Sequence, residues 1–307
     1  MQSFELPLSN GGTVTGIHSL PSASPLEHRP LIVGLHGGTY RCTYFDANPT
    51  HTASIASSAF GVPFVSIDRP CYGGTSSFLP LPSDSTFPRE SGFWIHHYIL
   101  PAIWSAFGKP NNCNSIVLLC HSLGVMGGVA AAALHAQDSS ADYPLAGIIF
   151  SGLGDHLLPE MQKNPIQGPN VSPDHVSFPL DVKDSLMFRP GTVHPEVLNL
   201  TAQLDSPAPF AELESLRKHW LVGWRDDWAK HVNVPVMLGL SEQDCFFVGT
   251  RDHLEHIAAA FENSLRVDGS LLNDAPHCIE LSRWSQGWYS RCFGFAMECS
   301  VNFAIGN

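Results

Sequence analysis

The residues with the clearest chemical potential lie in Cys120-His121-Ser122-Leu123-Gly124. Ahead of them Ile116 to Leu119 is an unbroken apolar run, as expected of a strand covered on both faces of a parallel sheet. Behind them Val125, Met126 and an alanine-rich run to Ala133 suit a tightly packed helix reaching Gln137. A serine at the apex of such a corner holds its hydroxyl clear of the sheet, and the amide of Leu123 points at the same spot. The turn is tight, so the positions two before and two after the serine must be small. Gly124 fits; Cys120 is compact but crowds the turn more than glycine does. A serine hydroxyl attacks a carbonyl only with help, from a histidine that takes its proton and a carboxylate that orients the histidine. The plainer reading is a serine that merely caps the helix.

Several other stretches stand where partners for such a serine belong. Strand-like Leu31-Ile32-Val33-Gly34-Leu35 ends at His36-Gly37-Gly38-Thr39-Tyr40, and two glycines there let the backbone approach a ligand closely, or simply reverse the chain. A strand over 62–67 runs into Asp68-Arg69-Pro70-Cys71-Tyr72-Gly73-Gly74-Thr75-Ser76. A strand over 234–240 leads to Asp244, and a strand within 264–272 leads to the loop that carries His277.

Taken together, these stretches resemble the α/β-hydrolase superfamily. Its G-x-S-x-G corner is present with Cys120 at the first glycine, and its D-x-P-G-x-G-x-S turn with Cys71 where glycine is usual. The resemblance implies an α/β fold, a mostly parallel central sheet flanked by helices with an inserted cap. It also implies the chain order serine, acid, histidine, which Ser122, Asp244 and His277 satisfy. By the same resemblance the oxyanion hole is formed by the amides of Gly38 and Leu123, and the 68–76 turn only shapes the loop beside the pocket. No metal or organic cofactor is implied. Asp155 is the runner-up acid, and a Cys120 nucleophile is disfavoured because its side chain points back into the strand. His36 is read as a loop brace, His253 and His256 as surface residues of a helix, and His121 as touching the sheet edge or lining the pocket. A metal at His96 and His97 is not expected, because no partner pair stands at ligand spacing.

The remaining elements follow in order. A hairpin opens the chain around Asn10-Gly11-Gly12, a Pro-rich connector covers 21–30, and helices are predicted over 50–59, 90–107 (kinked at Pro101), 209–220, 247–261 and 279–303. After the strand over 145–150 the texture changes until about Lys230, with prolines, Met and Phe scattered without strand periodicity. Such a length is too long for a simple connection. The division expected is a core over 1–154, a lid over 155–230 that builds much of the pocket wall, and a second core part over 231–307.

The chain has 307 residues, 44% hydrophobic and 14% charged, enough for a large core and unlike a disordered segment. Sixteen Lys and Arg against a formal net charge of −12 argue against nucleic acid or an anionic membrane as partner. The expected partner is a small-molecule substrate, and nothing bears on oligomeric state. Eight cysteines without a C-x-x-C pair fit neither a zinc knuckle nor a small disulfide scaffold, so free thiols are expected. Met1-Gln2-Ser3-Phe4-Glu5 lacks the basic and apolar segments of a signal peptide, no apolar run approaches the ~18 residues of a membrane span, and a cytoplasmic protein is expected.

The activity expected is hydrolysis of a small, mainly apolar ester or thioester through an acyl-enzyme. A biosynthetic acyl transfer, cyclisation or carbon–carbon cleavage by the same residues remains open, because fold alone does not separate these. A ligand-binding module on the same scaffold is a third reading, against which the complete set of Ser122, Asp244 and His277 counts. Haloalkane and epoxide chemistry normally uses an aspartate at the corner, so Ser122 argues against it.

Overall fold

The apolar runs become strands of one sheet in the computed structural model, which describes residues 1–22, 26–163 and 169–306. Residues 23–25 of the predicted connector and 164–168 of the predicted lid lie outside the described residues. The strands are β1 (Gln2–Pro7), β2 (Thr13–Ser19), β3 (Pro30–Leu35), β4 (Phe64–Ile67), β5 (Ser115–His121), β6 (Leu145–Ser151), β7 (Val236–Gln243) and β8 (Val267–Pro276). Among the described residues they form one eight-stranded sheet, in the order β1-β2-β4-β3-β5-β6-β7-β8. From β4 to β8 every neighbouring pair is parallel, and only the hairpin strand β2 runs against its neighbours.

Alternate residues of the central strands feed two apolar layers, as a pleated strand requires. Leu31, Val33 and Leu35 of β3, with Ile116, Leu118 and Cys120 of β5, face one layer. Ile32, Val117 and Leu119 face the other. The first layer is closed by α2 (Phe87–Trp94), by its helical continuation to residue 108 and by α3 (Gly124–Gln137). That continuation contains two wider turns, Ile95–Ile99 and Trp104–Gly108. The second layer is closed by α1 (Ser54–Phe60) and by the C-terminal helix, here α8 (Ser285–Gly306).

Between β6 and β7, at residues 152–235, the described part of the chain leaves the sheet. This excursion holds short helices, among them α4 (Leu180–Met187), α5 (Phe210–Ser215) and α6 (Leu221–Asp227). The helix predicted over 247–261 is shorter, α7 (Arg251–Ala258). Residues 246–248 are held as loop instead: Asp244 Oδ1 accepts from the amides of Phe246 and Phe247, and the Val248 amide donates to the His156 carbonyl. Among the described residues no helix is long and apolar enough to cross a membrane.

Candidate active site

Ser122 sits between β5 and α3 with φ of 50°. A non-glycine residue held there is strained, by about 1–2 kcal/mol. The constraint comes from both sides. The Ser122 amide donates to the Ser151 carbonyl on β6, and a Cβ added at Gly124 would lie 2.5 Å from the His36 carbonyl oxygen and 2.6 Å from that of Leu35. Gly124 therefore has no alternative if α3 is to start against the end of β3. Cys120 is accommodated by a second glycine that the motif does not contain: a Cβ at Gly128 would fall 2.4 Å from the Cys120 sulfur. The thiol is fully buried in the α3 interface, and burial pushes its pKa far above the ordinary thiol value. It faces the core, against Gly128.

His277 and Asp244 meet through an irregularity in the sheet. β7 and β8 pair in step from Val236–Val267 to Ser241–Leu272, and continuation in step would set Gln243 beside Asp274. Instead Gln243 pairs with Pro276, the chain having turned at Asp274 with φ of 57°. The residues that follow each member of that pair are Asp244 and His277. His277 Nδ1 donates to Asp244 Oδ2 at 2.8 Å, and His277 Nε2 lies 3.1 Å from Ser122 Oγ. Both Asp244 and His277 are almost fully buried. The Phe246 and Phe247 amides fix the Asp244 carboxylate through Oδ1, and the Phe246 ring stands edge-on to the imidazole at 4.7 Å.

The glycine loop after β3 packs directly on the serine corner. A Cβ at Gly37 would sit 3.0 Å from Ser122 Cβ, and one at Gly38 would sit 2.6 Å from a Leu123 methyl. Among the described residues no carbonyl or side chain accepts from the amides of Gly38 and Leu123, and both residues line the same pocket as Ser122. For Leu123 this is the unpaired donor set of a helix N-terminus. The arrangement places two free N–H donors beside a hydroxyl that is hydrogen-bonded to an imidazole.

The other sequence candidates go elsewhere. His36 braces the loop: Nδ1 donates to the Gly37 carbonyl at 2.7 Å and Nε2 accepts from the Arg69 amide. His121 does not line the pocket; it lies wholly buried, Nδ1 donating to Ser151 Oγ at 3.0 Å, and burial holds its pKa well below the usual imidazole range. Asp155 binds Arg225, His253 and His256, not His277. His253, expected at the surface, is 2% exposed and donates from Nδ1 to the Val248 carbonyl. Cys278 is buried, its pKa pushed up to about 12 by that burial. Ligand-type groupings near the serine, His121–His277–Cys278 and Asp244–Cys245–His277, both draw on His277, whose ring nitrogens already face Ser122 and Asp244.

Two groups of residues were not legible beforehand. Glu280, fully buried, accepts from Tyr44, Ser151 and the Trp288 indole, and burial raises its pKa against those hydrogen bonds. Lys183, on α4, is also buried, and its ammonium donates to the Thr39 carbonyl and to Asp205 Oδ1, each at 2.6 Å. In the sequence Val182-Lys183-Asp184 gives no sign of a buried position.

A cavity of about 580 Å³ opens at Ser122. Its wall is largely apolar, with Leu157, Met161, Phe178, Leu186 and Phe210 contributed by the 152–235 excursion. Volumes of this order suit a small organic ligand.

A family model described as the alpha/beta hydrolase family matches residues 32–288. No curated protein sequence matches the chain. Among solved structures, an esterase from Thermogutta terrifontis aligns with a TM-score of 0.62 at 15% identity, over 98% of this chain and all of that one. A monoacylglycerol lipase from Paleococcus ferrophilus aligns at 0.57 and 12% identity, over 97% of this chain and all of that one. The thioesterase domain of the curacin biosynthetic pathway aligns at 0.55 and 13% identity, over 97% and 99%. At such identities the likeness speaks for the fold.

Proposed function

Because the chain belongs to the alpha/beta hydrolase family, we propose that it is a serine hydrolase cleaving a mainly apolar carboxylic ester or thioester. One observation carries the reading: the unbroken line from Ser122 Oγ through His277 to Asp244, with the serine held in a left-handed conformation beside free amides. His277 Nε2 takes the Ser122 proton as Oγ attacks the carbonyl carbon. Asp244 keeps the proton of Nδ1 in place and balances the imidazolium that forms. The amides of Gly38 and Leu123 receive the oxyanion, each such donor being worth about 2–4 kcal/mol. As the tetrahedral species collapses, His277 protonates the departing alkoxide or thiolate. Water, deprotonated by His277, then attacks the acyl-Ser122 ester and releases the acid. Residues 155–230 act as a cap that excludes bulk water and walls the apolar part of the substrate.

The cavity wall supports an apolar acyl or alcohol group, and the esterase, lipase and thioesterase names of the structural neighbours agree with the reaction class. A fluorophosphonate probe is expected to label Ser122, and a panel of acyl chain lengths presented as both esters and thioesters is expected to find a substrate. Absence of labelling on folded protein would sink the reading. Turnover in isotopically labelled water separates hydrolysis, which puts the label into the acid, from transfer or cyclisation.

A further inference from the structure

Thr39 follows the proposed oxyanion donor Gly38 and has φ of 63°, an outlier for a β-branched residue. Its conformation is held from outside its own loop. The Thr39 carbonyl accepts from Lys183 Nζ at 2.6 Å and from the Ser206 amide at 3.0 Å, and both donors belong to the 152–235 excursion. Beside this loop Tyr72, its ring edge-on to His36, donates from its hydroxyl to Glu212, again from the excursion. Lys183 is 2% exposed, and its ammonium is fixed by Asp205 and by the face of the next loop residue, Tyr40, at 4.0 Å from the ring centre. A buried cation with a carbonyl, a carboxylate and an aromatic face around it has one geometry to adopt.

We propose that Lys183 is a positioning residue that sets the oxyanion loop, so that the excursion completes the catalytic geometry as well as walling the pocket. The proposal rests on the serine-hydrolase reading above. Freed from Lys183, Thr39 relaxes out of the left-handed region, the Gly38 amide rotates with it, and stabilisation is lost where charge develops, leaving ground-state binding intact.

The test is Lys183→Met on the full chain, read three ways. Expected is a kcat about 10- to 100-fold lower with KM within about threefold of wild type, as for a weakened oxyanion donor. An alkylboronic acid, which forms a tetrahedral adduct on Ser122, should lose affinity in proportion to kcat, and a fatty amide competitor that forms no adduct should keep its affinity. Unchanged kcat would overturn the proposal. So would a parallel fall in affinity for boronate and amide, which is the signature of a merely collapsed pocket. If Lys183→Met does not fold, Asp205→Asn, which loosens the ammonium but retains it, is measured the same way, with a smaller kcat loss of the same selectivity expected and no selective loss overturning the idea. Fluorophosphonate labelling of wild-type Ser122 is done first. Its failure would count against the hydrolase reading itself, whereas labelled wild type with an unaffected variant counts against the role of Lys183 alone.

Discussion

Ser122, Asp244 and His277 hang from the ends of buried parallel strands, whereas Lys183, Asp205 and Glu212 stand on or beside short helices of the 152–235 excursion. The two regions hold their polar residues by different means. At the sheet edge, backbone does the work: a corner at φ 50°, a shift of pairing between β7 and β8, and amides that donate to Asp244. In the excursion the regular elements are short, and polar side chains dock it onto the core: Glu212 pairs with Arg69, and Lys183, itself paired with Asp205 inside the excursion, donates to the Thr39 carbonyl. The contrast leads to a division that experiment can examine. Substitutions at the sheet edge should remove chemistry and spare stability; substitution in the Arg69–Glu212 pair should do the reverse, and Lys183, which reaches the loop beside Gly38, is the one docking residue expected to lower kcat as well.

The largest effect is expected at Ser122. With Ser122→Ala, turnover should fall by about 10⁴-fold or more, and the melting temperature should stay within a few degrees of wild type. Residual turnover near wild type would remove the sheet edge from its role. Next comes a pair of carboxylates that separates the two regions directly. Asp244→Asn keeps an oxygen for the Phe246 and Phe247 amides but presents N–H to His277, favouring the wrong tautomer, so kcat should fall about 10³- to 10⁴-fold. Asp155→Asn, which touches Arg225, His253 and His256 instead, should cost stability and leave kcat within a few-fold. Equal losses at the two positions would break the division.

On the excursion side, Glu212→Gln leaves the guanidinium of Arg69 buried without its counter-charge. Removing one partner of such a pair costs about 3–5 kcal/mol. Both members are essentially unexposed, so screening by solvent gives no relief. Denaturant unfolding should report the loss, and Ser122 should still take the fluorophosphonate at temperatures where the variant is folded. Loss of labelling ahead of unfolding would mean that the excursion reaches the serine by routes beyond Thr39.

This division also explains what could be read from the residues alone. The strand ends were legible because parallel strands are apolar throughout and stop abruptly, so Ser122, Asp244 and His277 stood at recognisable places. The exact meeting of Asp244 with His277 was not, since it depends on the two-residue shift between Ser241 and Gln243. Lys183 and Glu212 were invisible for the opposite reason. They lie in short helices with ordinary surface-like neighbours, and only tertiary packing makes them buried. His253 misled in the same way: its helix is amphipathic, and the histidine falls on the inner face.

The smallest effect concerns the departure from the glycine motif, and it sharpens the sheet-edge half of the comparison. If backbone geometry alone defines the corner, Cys120 is tolerated only because Gly128 yields the space its sulfur occupies. Gly128→Ala brings a methyl to 2.4 Å from that sulfur, and neither a central strand nor a helix packed on it can easily move. Overpacking of this kind typically costs about 1–3 kcal/mol, partly offset by the better helix propensity of alanine, about 1 kcal/mol. Cys120→Gly alone should also destabilise, by loss of buried volume and by placing glycine in a strand. The double variant moves bulk from strand to helix and should be more stable than the sum of the two single changes predicts, a coupling of about 1 kcal/mol or more measurable by a double-mutant cycle. Additive losses would mean that Cys120 and Gly128 are independent, and that the corner accepts cysteine for some reason other than the room made by Gly128.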